Sequence, residues 1–154
     1  METANERLLF MALSEYGRRE VPGSKSDGRI LSWIRSVFPL ATDDSKVPWC
    51  GLFMREIAER VCAEIPDGPA LARNWLNVGE RVDNPIPGDI VVFSRGSSGW
   101  QGHVGIYCND NNKTVHVLGG NQKNAVNIAE YRRDRVLGFR RLKIVSNEDA
   151  NLLG

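Results

Sequence analysis

The chain has almost no net charge, few histidines, an odd number of cysteines and no long apolar run. Its 20 lysines and arginines offset 19 aspartates and glutamates, leaving +1 over 154 residues. That balance lacks the basic field that selects nucleic acid or an anionic membrane surface, and neither is expected as a partner. The local clusters Arg132-Arg133-Asp134-Arg135 and Arg140-Arg141 read as solvated charges around a turn and a strand. The three cysteines, Cys50, Cys62 and Cys108, form no CxxC pair, and the two histidines, His103 and His116, stand too far apart for a zinc cluster. No metal or cofactor is expected, and the thiols read as reduced ones of a protein made in the cytoplasm. No stretch approaches the roughly 20 apolar residues of a spanning helix, so membrane insertion is not expected. Leu8 to Leu13 is too short for a signal-peptide core and lacks a basic segment before it. A target outside the cytoplasm would then need a delivery route. Repeats and low-complexity tracts are absent as well.

What is present is ordinary globular composition, 42% apolar and 25% charged, in a chain of single-domain length. The expected domain is 1–145, with a polar, frayed tail over 146–154. Helical periodicity runs over 5–16, where Gly17 can close the helix, and again over 30–38, ending before Pro39. Val21-Pro22-Gly23-Ser24 reads as a turn and Thr42-Asp43-Asp44-Ser45 as an acidic loop. A third helix starts at about Cys50 and carries Leu52, Phe53, Ile57, Ala58 and Val61 on one face; a short fourth covers 70–76. After the turn cluster Asn84-Pro85-Ile86-Pro87-Gly88 the pattern changes to strands over 89–93, 103–108 and 114–118, with weaker ones over 125–128 and 136–143. Residues 95–102 read as a mobile hairpin loop. Helices first and antiparallel strands after predict an α+β domain, with helices packed on one face of a meander.

Cys50 is the residue that singles itself out. Val47-Pro48-Trp49 before it and Gly51 after it place it where an amphipathic helix begins. There the free N–H groups and the helix dipole favour thiolate, the nucleophilic form. Cys62 and Cys108 fall in apolar stretches and read as small buried hydrophobes. His103 opens a strand between Gly102 and Gly105, which leave the backbone beside the imidazole bare for a substrate. An imidazole titrates near neutrality and can take a proton from a thiol and return it to an amine. For the group that orients the histidine, Asn121 in Leu118-Gly119-Gly120-Asn121-Gln122 is the first choice. It would complete a Cys-His-Asn arrangement. His116, on the next predicted strand, is the second. Asp89 at the start of its strand reads as a turn acceptor. Asp43 and Asp44 suit loop capping, with a contact to a metal or a substrate amine as the alternative.

In order along the chain, Asp44-x-x-x-Pro48-Trp49-Cys50, Ala72-Arg73-Asn74-Trp75-Leu76, Pro87-Gly88-Asp89, Trp100-Gln101-Gly102-His103-Val104-Gly105 and Leu118-Gly119-Gly120-Asn121-Gln122 resemble the NlpC/P60 and CHAP superfamily of papain-like cysteine peptidases and amidases. The similarity runs from about Leu8 to Arg141, and its nearest part is a subgroup of small phage and bacterial CHAP-like hydrolases. The resemblance implies a papain-like fold and hydrolysis of an amide bond in the stem peptide of bacterial peptidoglycan. It implies Cys50 as nucleophile, His103 as base and then acid, and Asn121 as third member, with Gly119 standing where some CHAP members carry Glu. Trp49, Trp100, Tyr16 and Asp44 are the expected substrate-binding residues, and Trp75 is read as packing. Muramoyl-alanine amidase and stem-peptide endopeptidase both fit. A phage lysin released through a holin, or a toxin moved by a secretion apparatus and matched by an immunity protein, accounts for a wall substrate reached without a signal peptide. The alternatives are an acyltransferase or transpeptidase on the same fold, and a papain-like interaction module whose site is idle.

Overall fold

A computed structural model of the chain describes residues 2–21, 27–41 and 48–145. The predicted turn at 21–24 (after Val21), the acidic loop at 42–45 and the tail at 146–154 lie outside them. Helix α1 (Ala4–Leu13) begins on a reciprocal cap. The Thr3 hydroxyl accepts from the Glu6 N–H, and the Glu6 carboxylate accepts from the Thr3 N–H. Helix α2 (Gly28–Arg35) opens on Asp27, whose carboxylate accepts from the N–H groups of Arg29 and Ile30. Helix α3 (Cys50–Arg60) has no side-chain cap at its start. The inward faces follow the predicted spacing at Leu8, Ala12, Ile30, Ile34, Leu52, Phe53, Ile57 and Ala58, with Trp33 and Met54 joining them, whereas Leu13, Tyr16, Val37 and Phe38, expected on the same faces, are exposed. Both early helices stop short of the periodic pattern, which continues through turn residues at 14–16 and 36–38.

A single turn-like 3-10 helix (Ala72–Asn77) stands where the fourth helix was expected. It leads into a six-stranded antiparallel sheet of β1 (Glu80–Val82), β2 (Ile90–Ser94), β3 (Gly102–Asp110), β4 (Thr114–Gln122), β5 (Ala125–Arg132) and β6 (Val136–Arg141), ordered β1-β6-β2-β3-β4-β5. The edge strand β1 is too short to announce itself by alternation. The helices cover one face of the sheet, where Ile90, Val92, Val104, Ile106, Leu118 and Val126 complete the main core. On the opposite face Val91, Phe93, Tyr107, Val115, Val117 and Phe139 form a second, smaller core. That face is concave. Phe93 of β2 and Tyr131 of β5 are separated by two intervening strands, yet their rings stack with centroids 4.8 Å apart. Three strand spacings in a flat sheet would span about 14 Å, so the sheet must curl to bring the rings together.

Two buried carboxylates fasten the assembly. Asp89, at the head of β2, is held bidentately by Arg141 at 2.8 and 2.9 Å and accepts from the Asn5 amide and the Ile86 N–H. Gly88, just before it, has φ of 96°, and a Cβ there would lie 2.5 Å from the Asn5 carbonyl oxygen. The Pro-Gly-Asp motif is thus a tie between sheet and α1, and Asp89 is the turn acceptor the sequence suggested. Glu15 accepts from Arg29 at 2.7 Å and Arg60 at 3.0 Å, joining all three helices.

Candidate active site

Cys50 is the first residue of α3 and is 5% exposed. The earliest helical bond runs from the Phe53 N–H to the Trp49 carbonyl at 2.9 Å, so the N–H groups of Cys50, Gly51 and Leu52 have no partner in the helix. Any side chain at position 51 would collide with the Pro69 and Ala70 carbonyls, and so the residue after the cysteine is glycine. Burial pushes the Cys50 thiol up. The charge of His103 and a hydrogen bond with it, followed by the N–H groups of Val104 and Gly51, outweigh burial, and the net shift is downward. By contrast, burial raises the Cys108 thiol.

His103, 5% exposed, sits one residue into β3 at the end of the sheet, directly opposite Phe93 of β2. Its imidazole is wedged into the concave face, stacked on Tyr131 with centroids 4.9 Å apart. Its Nε2 lies 3.0 Å from Gln122 Oε1 and 3.1 Å from the Tyr131 hydroxyl. The tautomer follows from the bonds beyond it. The Gln122 amide nitrogen donates to the Val117 carbonyl at 3.1 Å, and to the Asn127 carbonyl and side-chain oxygen at 2.7 and 3.0 Å. The Asn127 amide is itself pinned by donating to the Gln122 carbonyl at 3.0 Å. Reversing Gln122 would set an oxygen against three acceptors, so Oε1 must face the histidine. Nε2 then carries the proton, and Nδ1 is the nitrogen left for the thiol. Burial, and then the nearby Cys50 charge, push the Tyr131 phenol up to about 12, so it remains a neutral second acceptor.

The partner of His103 is therefore Gln122, one residue beyond Asn121. In the β4–β5 register Gly119 faces Asn127 while Gln122 faces Ala125, so β4 contains one extra residue. Asn121, at φ 56°, lies in that bulge. One inserted residue reverses the alternation, which removes Asn121 from the histidine side and brings Gln122 to it. Gly119 makes room: a Cβ there would stand 2.8 Å from Gln122 Oε1 and 3.4 Å from His103 Nε2. His116 does not reach His103. It pairs with Asn109, well along β3, and its ring is 3.4 Å from Glu130.

Cys50 opens onto a hollow of about 360 Å³ whose walls include Phe38, Pro48, Leu71, Arg95 and Trp100. Trp100, 64% exposed, stands on its rim. Trp49 does not. It is fully buried against Trp33 and donates its indole N–H to Glu20 at 2.6 Å, so it supports the cysteine from beneath and cannot touch substrate. Tyr16 lines a separate hollow with Arg18, Arg19 and Asp27. Asp44 lies outside the described residues. The loop expected to be a mobile hairpin is braced by Arg73, which donates to the Gln101 and Ser98 carbonyls at 2.8 and 2.9 Å. Gln122, Tyr131 and Arg73 are the site residues that sequence reasoning did not single out. The one available signal was Gly-Gly-Asn inside a strand, a glycine and left-handed-prone pairing that marks a bulge. A larger hollow, about 540 Å³, lies beside Phe10 and Cys62, but no histidine lines it. Among the described residues no group of three or more His, Cys, Asp or Glu could hold a metal ion.

Residues 42–121, just over half the chain, match the CHAP domain. The chain belongs to the CHAP domain family. No curated protein matches it in sequence. CHAP domains are peptidoglycan amidases and peptidases, and the helix-then-sheet architecture is the papain-like α+β fold of that family. The CHAP match contains both Cys50 and His103 and ends at Asn121, one residue short of Gln122.

Proposed function

We propose that this CHAP domain is a cysteine-dependent hydrolase of an amide bond in the peptidoglycan stem peptide. The observation that carries the reading is the Cys50–His103 pair: a thiol at an uncapped helix start, its pKa lowered by an imidazole whose far nitrogen is fixed by Gln122. In this mechanism His103 Nδ1 takes the thiol proton and the Cys50 sulfur attacks the amide carbon. The carbonyl oxygen gains the negative charge, for which the unused Cys50 N–H at the helix start is the donor. His103 then passes the proton to the departing amine, leaving an S-acyl enzyme. Water, deprotonated by the same nitrogen, releases the acid and restores the thiol. Gln122 keeps Nε2–H engaged throughout, so the imidazole does not change tautomer or rotate. A wall substrate places the site of action in the periplasm or outside the cell, reached as a phage lysin through a holin or as a toxin through a secretion apparatus.

The test is digestion of purified sacculi by the wild-type protein and Cys50→Ala, with released fragments identified by mass. Fragments that require Cys50 are expected. Their new termini assign the bond: a free muramoyl lactyl carboxyl with a whole stem peptide released at its N-terminal alanine marks an amidase, and a lactyl group still joined to a shortened peptide marks an endopeptidase. Fragments joined to an added amine would mark acyl transfer. No Cys50-dependent product of any kind would overturn the hydrolase and leave an interaction module.

A further inference from the structure

The hollow in front of Cys50 is mostly apolar, and among the described residues lining it Arg95 is the only cation, with no carboxylate beside it. No hydrogen bond or ion pair among the described residues occupies its guanidinium, whereas Arg73, Arg135, Arg140 and Arg141 are all bound to carbonyls or a carboxylate. Arg95 is not among the groups that lower the Cys50 thiol, so activating the nucleophile is not its part. Its charge does reach the Tyr131 phenol, which places it on the catalytic side of the loop.

The loop that carries it is held at both ends. Arg135 donates twice to the Ser94 carbonyl, at 3.1 and 2.8 Å, immediately before Arg95. At the other end Arg73 grips the Ser98 and Gln101 carbonyls, and the Ser98 hydroxyl bonds the Gln101 side chain at 3.1 Å. Two guanidinium groups are thus spent on fixing a short segment whose remaining side chains of consequence are Arg95 and Trp100. A free planar fork of N–H donors at the edge of an apolar pocket favours a carboxylate over its neutral amide.

We propose that Arg95 is a specificity-determining residue that binds a free carboxylate of the stem peptide beside the scissile amide, while Trp100 covers the adjoining apolar part. The inference rests on the hydrolase reading above. Stem peptides contain a residue joined through its side-chain carboxyl, whose α-carboxyl is a free carboxylate in some walls and a carboxamide in others. The carboxamide has lost the charge and one acceptor, and turns an NH2 group toward the guanidinium. For an exposed arginine the discrimination is about two- to fivefold in kcat/KM.

The experiment uses two muropeptides that differ only in that carboxylate or carboxamide, with wild type and Arg95→Gln. The expected result is a preference of about two- to fivefold for the carboxylate in wild type, shrinking as salt is added, and a ratio near one in Arg95→Gln. An equal preference in both proteins, or none in wild type, overturns the inference and leaves the hydrolase standing. Should neither peptide be cleaved, NMR titration of both into Cys50→Ala and Cys50→Ala/Arg95→Gln decides. Carboxylate-selective binding lost with Arg95 upholds the subsite while the hydrolase falls, and unselective or absent binding overturns both.

Discussion

Replacing Gln122 with methionine keeps the length of the side chain and removes every hydrogen bond its amide makes. On the catalytic side, His103 Nε2–H loses its acceptor at 3.0 Å and keeps only the Tyr131 oxygen at 3.1 Å, on a ring stacked against the imidazole rather than coplanar with it. The imidazole can then rotate or take the other tautomer, in which Nδ1 carries the proton and cannot accept one from sulfur. A loss of about 2–3 kcal/mol in transition-state stabilisation, 30- to 150-fold in kcat/KM, follows. On the structural side the carbonyls of Val117 and Asn127 lose the amide donor in a site where Gln122 is 3% exposed. At about 1 kcal/mol for each unsatisfied group, stability falls by about 2 kcal/mol, or roughly 4–8 °C in Tm for a chain of this size. The counterpart is Asn121→Gly, which preserves the left-handed backbone of the bulge at φ 56° and deletes the amide that sequence reasoning would have made the orienter. Its kcat/KM should stay within about twofold of wild type. Both variants are assayed on sacculi at a temperature well below either Tm, with folding checked by circular dichroism. A folded Gln122→Met enzyme with wild-type kcat/KM, or an Asn121→Gly enzyme as impaired as Gln122→Met, would refute the assignment of the third residue.

The Cys50 thiol, lowered chiefly by His103 once burial is overcome, should react with iodoacetamide at pH values where an ordinary thiol, pKa 9.0, is mostly protonated, and His103→Ala should move that alkylation profile upward; identical profiles would remove the pair. Because the folded pKa lies below the unfolded one, the thiolate's contribution to stability is complete above the unfolded value and is lost as pH falls through the folded value, so Cys50→Ser should flatten that part of the stability–pH curve. Gly119→Ala, whose Cβ meets Gln122 and His103, should depress kcat/KM more than Tm, whereas Gly120→Ala, whose Cβ would lie 2.7 Å from both Phe53 Cβ and Trp49, should cost about 1–3 kcal/mol in urea unfolding by driving α3 off the sheet; a reversed pattern would contradict the two-faced placement of these glycines. Asp89→Ala leaves the Asn5 amide and the Ile86 N–H without their acceptor and Arg141, a third exposed, without its bidentate partner, and should destabilise by about 2–3 kcal/mol, measured by denaturant midpoint, with kcat/KM of the folded fraction retained.

What could be read from the chain and what could not divide along a physical line. Helices α1 to α3 were legible because a buried face repeats every three or four residues, and Cys50 was legible because proline, tryptophan and glycine cannot share a helix interior. His103 was legible because glycines flank it in a strand, although the structure gives them a packing reason as well: a Cβ at Gly102 would meet the Phe93 carbonyl and one at Gly105 the Val117 side chain. These are local constraints, each satisfied within a few residues. The identity of the third residue is not local. It depends on the parity of β4, and parity depends on whether the strand is regular between Gly119 and Gln122. Alternation carried through unbroken puts Asn121 on the face of His103; the bulge at Asn121 shifts it by one and substitutes Gln122. The same limitation explains Trp49. An aromatic next to a nucleophile resembles a groove wall, yet whether it points outward or inward is set by α2, which supplies Trp33 to pack against it, and by Glu20, which receives its indole proton. Tyr131 and Arg73 were out of reach for a related reason, since each acts on the site through a partner 28 or 25 residues away in sequence that only the curl of the sheet or the path of a loop makes adjacent. A site built on a curled sheet therefore exposes its nucleophile and base to sequence reading and conceals the groups that aim them. The concealed groups are also the ones where a single inserted residue could exchange one orienting side chain for its neighbour while Cys50 and His103 stay as they are.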